Sequence, residues 1–322
     1  MTSVGIHASH EQMPPGLLLE AVKRAEQAGF TAAMCSDHFA PWSVRQGHSG
    51  YAWSWLGAAL EATRFSLGVV TAPGQRYHPA VAAQKIATLA EMYPGRFWAA
   101  LGSGEAINEH ITGERWPPKD ERDARLLESV EVMRRLLAGE EVTADGLIRV
   151  DRARLWSLPA VPPELFAAAV SPDTARAAAN WADGVITVDQ PRDVLREFID
   201  AYRGSGGRGP VAVQVHLSWA RTDDEALAIA HEQWRQSLVP AHLAWELDRP
   251  EEFDARTADA TPAQVAETLL VSADPSRHRD HLLRIAELGV DRIYLHHVGT
   301  EQTRFIEVFG ERVVPELEAV SA

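Results

Sequence analysis

The chain has 322 residues and a formal net charge of -14, from 31 Lys and Arg against 45 Asp and Glu. That balance argues against a nucleic-acid partner, because phosphate backbones are bound by neutralising Lys and Arg. The single cysteine, Cys35, excludes an internal disulfide and suits a reducing cytoplasm.

The opening residues MTSVGIHASHEQ have neither a basic start nor a long apolar core, and no later run approaches ~18 uninterrupted apolar residues, so neither a signal peptide nor membrane attachment is expected. Eight short apolar runs succeed one another along the chain: Val4 to Ala8, Ala32 to Cys35, Phe65 to Val70, Phe97 to Leu101, Leu165 to Val170, Gly184 to Val188, Val211 to Leu217 and Arg292 to His296. Most precede a segment of helical period. In Leu17 to Ala28 the apolar positions are Leu17, Leu18, Ala21, Val22 and Ala25; in Arg125 to Leu137 they are Leu126, Val130, Met133 and Leu137. Runs that are apolar throughout imply strands buried on both faces, as in a parallel sheet wrapped by helices. Eight such units predict an α/β protein of (β/α)8 TIM-barrel type, one domain over residues 1–322.

Two stretches are too long for a simple unit. Gly102 to Glu164 holds helical sequence and a hairpin over Glu141 to Trp156, turning at Ala144-Asp145-Gly146. Ser218 to Asp291 holds a helix at Asp223 to Leu238, a Pro- and Asp-bearing stretch at Pro240 to Pro262, and a further helix. Insertions in a barrel decorate the active-site face or an oligomer contact. The run Arg203 to Arg208, RGSGGR, reads as a flexible linker on the opposite face.

Catalytic groups in barrels stand at the carboxyl ends of strands, so the residues just past each run are the ones to inspect for chemistry. The first run leads into Ser9-His10-Glu11, the second into Asp37-His38 and the third into Thr71-Ala72-Pro73-Gly74. The fourth leads into Gly102-Ser103-Gly104-Glu105 with Asn108, the fifth contains Val170 ahead of Ser171-Pro172, and the last ends in His296-His297. His38 is the leading proton-transfer candidate, since imidazole both takes and gives a proton near neutral pH. Its plainer reading is a loop cap with the ring satisfied by a carbonyl. Glu105 follows two glycines that let a flat ligand approach the backbone. Ser171-Pro172-Asp173 reads equally as a helix cap or as a phosphate-binding helix start, which Asp173 would weakly oppose. A metal site is disfavoured. A barrel metallohydrolase places two inward histidines one residue apart on its first strand, whereas His7 and His10 are three apart and fall on opposite faces. His7 and His216 read as core or cavity-lining residues, and the tryptophans at 53, 55, 98 and 181 as packing.

The blocks Ser36 to Trp42 (SDHFAPW), Thr71 to Ala80 (TAPGQRYHPA) and Gly102 to Glu109 (GSGEAINE) resemble the bacterial luciferase-like oxidoreductase superfamily, in the branch of the deazaflavin-dependent glucose-6-phosphate dehydrogenase. Within it, the runs Met34 to Trp42, Gly113 to Lys119 and Phe305 to Val313 resemble a subfamily predicted to have reverted from deazaflavin to FMN. The resemblance covers nearly the whole chain, and the block around His38 is its most specific part. It implies a barrel holding an isoalloxazine-type ring, with His38 as proton-transfer group, Glu105 near the pyrimidine end and Trp42 on the substrate face. Asp37, Ser103, Gly104 and Asn108 match ring-contacting positions. Ala168, Ala169, Val170 and Ser171, with Thr187 and Val188, match the cofactor tail region, and Glu11 matches a residue near the substrate. The resemblance also implies a non-prolyl cis peptide under the ring within Val69-Val70-Thr71, a bond costing ~3 to 4 kcal/mol. A homodimer is implied too, through the helices after the second and third strands.

Departures from that pattern narrow the expectation. The positions aligned with two phosphate-holding lysines of the sugar-phosphate enzyme are Pro191 and Glu267, and a phosphate dianion beside Glu267 would be repelled. The third-strand loop is one residue shorter, and Ala169-Val170 replaces part of a glycine pair. The expected protein is therefore an FMN-dependent oxidoreductase passing hydride between the ring and a small organic substrate, with oxygen use open. Coenzyme F420 is the alternative cofactor. A non-catalytic flavin-binding protein and a metal-dependent barrel hydrolase are the rival readings.

Overall fold

The computed structural model describes residues 2–320. Its strands are β1 (Ser3–Ala8), β2 (Ala32–Ser36), β3 (Ser66–Thr71), β4 (Phe97–Leu101), β5 (Val142–Asp145), β6 (Arg149–Ala153), β7 (Leu165–Ala168), β8 (Gly184–Val188), β9 (Val211–Ser218), β10 (Leu270–Val271) and β11 (Arg292–His297). Eight of them pair in parallel in the order β9-β11-β1-β2-β3-β4-β7-β8, and β8 returns to β9 to close the barrel. All eight expected runs therefore form barrel strands. At the carboxyl end the β8 ladder stops at Val188 opposite Gln214, and β10 takes over alongside Leu217 and Ser218. β5 and β6 form the expected hairpin, but it turns at residues 146–148 and not at Ala144-Asp145-Gly146, because Ala144 and Asp145 pair with Val150 and Arg149; its Ile148 N–H is held by the Glu128 carboxylate at 2.9 Å.

Alternation along each strand builds two apolar layers. Ala32, Met34, Trp98, Ala100, Phe166, Ile186, Ala212 and Tyr294 fill the barrel, with Val70 and Ala168 against them. Their sequence neighbours Ala33, Cys35, Leu67, Val69, Ala99, Val213 and Leu295 face the helices instead. Gly68 is required inside, because a Cβ there would overlap the Trp98 indole. The helix Pro15–Gln27 starts with proline in its first turn and buries Leu18, Val22 and Ala25. His78 caps the helix Pro79–Met92 by accepting from Ala80 N–H at 3.2 Å.

The insertions depart from expectation in detail. The helix expected over Asp223 to Leu238 is α-helical to Trp234 and tightens to a 3-10 turn over Arg235–Leu238. The stretch Pro240 to Pro262 carries two short helices, Ala241–Ala244 and Pro250–Arg256, which bring Val239, Ala244 and Phe253 over the barrel mouth. The glycine-rich segment lies before β9 on the opposite face, as expected, but it is tied down: Arg203 donates to the carbonyls of Gly207 and Gly209, at 3.3 and 2.7 Å.

One expectation at β3 is corrected. All described peptide bonds are trans, those of Val69-Val70-Thr71 included. The ladder there runs on unbroken, with Asp37 N–H on the Val70 carbonyl and Gly102 N–H on the Thr71 carbonyl, both at 2.9 Å. Uninterrupted pairing on both edges leaves the ordinary trans preference in force.

Candidate active site

The carboxyl ends of the strands surround a cavity of about 570 Å³. Of the residues singled out from sequence, Glu11, Asp37, His38, Trp42, Val70, Thr71, Ser103, Gly104, Glu105, Asn108, Ala168, Ala169, Val170, Ser171, Thr187 and Val188 line it. Val69 does not. It is fully buried against the helices, because neighbouring residues of a strand point to opposite faces and Val70 takes the inward position.

His38 leaves β2 and enters the cavity between two carboxylates. Its Nδ1 is 3.2 Å from Glu11 Oε1, and its Nε2 is 3.6 Å from Glu105 Oε2. Neither contact is aligned as a hydrogen bond, so Nδ1 and Glu11 Oε1 are buried with unused bonding capacity. The loop is fixed behind the ring by Ser49, whose hydroxyl donates to the His38 carbonyl at 2.8 Å. Burial pushes the Glu11 carboxyl up, but His38, His7 and the Ser9 hydroxyl, 2.7 Å from Oε2, outweigh it and hold Glu11 below the usual carboxylate range. Glu105 goes the other way. Burial raises it despite His38, and Glu11 adds repulsion. Two carboxyls facing one imidazole are thus pushed apart in acidity, the pattern by which acid and base roles separate. Asn108 orients Glu105: its Nδ2 donates to Oε2 at 3.1 Å, and its Oδ1 accepts Phe39 N–H at 2.8 Å.

Asp37 is less a ring contact than the centre of a buried network. It accepts from Trp53 Nε1 at 2.7 Å, Thr71 Oγ1 at 2.9 Å and Tyr77 Oη at 3.2 Å, and Arg76 stands 3.5 Å away. Arg76 also faces Glu109, whose Oε1 is 3.5 Å from Nε, and its backbone N–H donates to Glu109 Oε2 at 2.6 Å. Burial raises the Glu109 carboxyl to about 7 against the pull of Arg76. Arg76 and Glu109 were not among the expected site residues, although both stand in the family-like blocks at 71–80 and 102–109.

The tail-side residues form a helix cap. Ser171 Oγ accepts Thr174 N–H at 3.2 Å, and Asp173 pairs with Arg176 outside the cavity. His7 and His10 part as their spacing requires: His7 lines the cavity, whereas His10 is fully buried edge-on against Trp55. Pro191 and Glu267 are both exposed and lie away from the cavity lining. Besides Arg76, the cavity's cations are Lys119 and Arg122, and both are paired, with Asp123 and Glu246 respectively.

Small residues make a cradle along the β3, β4 and β7 ends. Val70, Ala72, Gly102 and Ala168 present little bulk, and Gly104 has a φ of 86°, where a Cβ would also crowd Glu109 and Trp116 at 3.1 and 3.2 Å. Opposite them, Trp42 packs against Phe253, with ring centroids 5.4 Å apart, and joins Val239 and Ala244 in an apolar wall. A flat ring against the small-residue side and a small organic molecule against the aromatic side fit this donor set.

The polar site stands at the carboxyl rim of a closed parallel barrel, and the chain belongs to the luciferase-like monooxygenase family, whose model matches residues 1–292, which makes it an oxidoreductase of luciferase-like type. It is similar to an F420-dependent glucose-6-phosphate dehydrogenase of Intrasporangium calvum, 36% identical over 99% of this chain and 100% of that one. Among solved structures it is similar to an F420-dependent secondary alcohol dehydrogenase in complex with an F420-acetone adduct. That match is 30% identical with a TM-score of 0.90, over 98% of this chain and 99% of that one. The monooxygenase RslO1 of Streptomyces bottropensis, 22% identical with a TM-score of 0.73 over 98% and 99% of the two chains, shares the fold.

Proposed function

We propose that this protein is an F420-dependent oxidoreductase that interconverts a small uncharged alcohol and its carbonyl compound. The deazaflavin replaces the FMN expected from sequence, because both of the more similar relatives carry F420 in their names. The observation that carries the reading is His38, held between Glu11 and Glu105 beside the Trp42 and Phe253 wall.

Bound against the small-residue side, the deazaflavin supplies a ring that accepts or returns hydride. The protein supplies the proton path and the orientation. His38 takes the hydroxyl proton of the alcohol as the carbon gives up its hydride, and returns it in the reverse direction. Glu11, held ionised, stabilises the imidazolium that results. Glu105, made a weaker acid by burial, stands on the cofactor side of the imidazole. Val70, Ser103, Gly104, Ala168 and Asn108 would hold the ring, with Ala169 to Ser171, Thr187 and Val188 available toward its tail. Trp42 excludes water from the substrate face.

A sugar phosphate is not the substrate in this reading. The cavity's own cations, Arg76, Lys119 and Arg122, are all engaged by carboxylates, and Pro191 and Glu267 lie outside it. Anaerobic mixing of the protein with F420 or FMN and 2-hexanol or glucose-6-phosphate tests the reading. The expected result is cofactor reduction only with F420 and 2-hexanol. Reduction of FMN alone, or of F420 by the sugar phosphate alone, overturns it.

A further inference from the structure

One face of the cavity has no part in the chemistry above. Period-two alternation sends Gln214 and His216 of β9, His296 of β11 and His7 of β1 into the barrel, on the arc that the small-residue cradle of β3, β4 and β7 leaves free. The three imidazoles cluster there, His296 with its ring centroid 4.5 Å from His7 and 5.1 Å from His216. Gln214 Nε2 bridges His216 Nε2 at 3.1 Å and His296 Nδ1 at 3.3 Å, and Gln12 Oε1 holds His296 Nε2 at 2.7 Å. Trp234 closes the recess over His216, at 4.6 Å between ring centroids.

We propose that Gln214, His216, His296 and His7 form a second recognition subsite that takes an uncharged hydroxyl or carbonyl group of a bifunctional substrate, while His38 serves the reacting carbon. Two observations point to a ligand. His7 is 7% exposed, and its Nδ1 is buried without a partner although the side chain lines the cavity. The Gln214 side-chain oxygen likewise has no partner among the described residues, its amide nitrogen making both bonds. Polar groups left this way beside a cavity are matched by a ligand group of complementary polarity. Its charge is set by the surroundings. Burial holds His7 down at about 3, His216 at about 4 and His296 well below the usual imidazole range, so the face is neutral at physiological pH. Neutral imidazoles and an amide accept a hydroxyl or carbonyl and offer no clamp to phosphate or carboxylate.

The proposal rests on the alcohol-carbonyl reading, and its test separates the two. Protein saturated with oxidised cofactor, F420 or FMN as it retains, cannot turn a ketone over, so binding is read alone. Calorimetric titration compares 6-hydroxy-6-methylheptan-2-one, whose tertiary alcohol has no hydrogen to give up as hydride, with 6-methylheptan-2-one, in wild type and in Gln214→Leu and His216→Phe variants whose folding is checked by circular dichroism. The expected result is about ten-fold tighter binding of the hydroxyketone by wild type, the scale of one hydrogen bond to an otherwise unmatched group. That preference should fall to near unity in both variants. Equal affinity for the two ketones in wild type, or a preference that survives both substitutions, overturns the subsite. If 2-hexanol is still oxidised in that event, the redox reading stands without it. A preference for the hydroxyketone in a protein that oxidises no alcohol keeps the subsite and removes the redox reading.

Discussion

Nε2 of His38 stands 3.6 Å from Oε2 of Glu105, while Nδ1 of the same ring faces Glu11 Oε1 at 3.2 Å. Each ring nitrogen thus has a carboxylate within reach, the arrangement a proton-moving imidazole requires. Replacing His38 by Ala should lower kcat for alcohol oxidation by about 10² to 10⁴, the range of general-base contributions. Anaerobic steady-state kinetics with F420 measure it, and a loss below ten-fold removes His38 from proton transfer.

Glu109 gives a stability prediction with a definite sign. Its carboxyl is raised from 4.5 to about 7 in the folded chain, so the native state holds the proton more tightly than the unfolded one. The contribution is complete below about pH 4.5 and is lost as pH rises toward 7, by roughly 3 kcal/mol. Urea unfolding of wild type across that interval should show the decline. Glu109→Gln should show a shallower profile, and identical slopes would contradict the assignment.

Asp37 joins β2, β3 and the helix Ala52–Ala62 through Thr71, Tyr77, Arg76 and Trp53. Asp37→Ala leaves buried Arg76 with Glu109 as its remaining carboxylate partner, and should cost about 3 to 5 kcal/mol. Chemical denaturation is the measurement. A cost under 1 kcal/mol would mean that Asp37 acts through the ligand and not through the fold.

Pro191 and Glu267 lie outside the cavity lining, so lysines at both positions should not create a sugar-phosphate oxidase. The Pro191→Lys, Glu267→Lys double variant is expected to leave glucose-6-phosphate unoxidised in the F420 assay. Appreciable turnover would show that those side chains reach the substrate.

The barrel was legible because each strand is a compact apolar run, and its rim residues because catalytic groups cluster after such runs. His38, Glu105 and Glu11 came from that logic together with the resemblance. Val69 was misplaced for lack of a phase: an all-apolar strand does not announce which of its residues face inward. The same ambiguity hid Gln214; His216 was readable as core or cavity lining and His296 as a strand-end residue, but their meeting in one cluster is visible only once the barrel is assembled. Val239 and Phe253 were out of reach for another reason, since the insertion that carries them has weak periodicity and docks by tertiary contact. The Arg76 and Glu109 pair joins two loops whose approach is set by β3 and β4, and no local spacing encodes it.

Hydride transfer at this site is tested most directly by transfer of label from 2-propanol deuterated at carbon 2, in a single anaerobic turnover with the F420-loaded protein. The expected result is acetone and deuterium recovered in the reduced cofactor in equal amounts. F420 that binds but stays oxidised, or becomes reduced without carrying the label, contradicts an alcohol-carbonyl oxidoreductase that uses this cofactor.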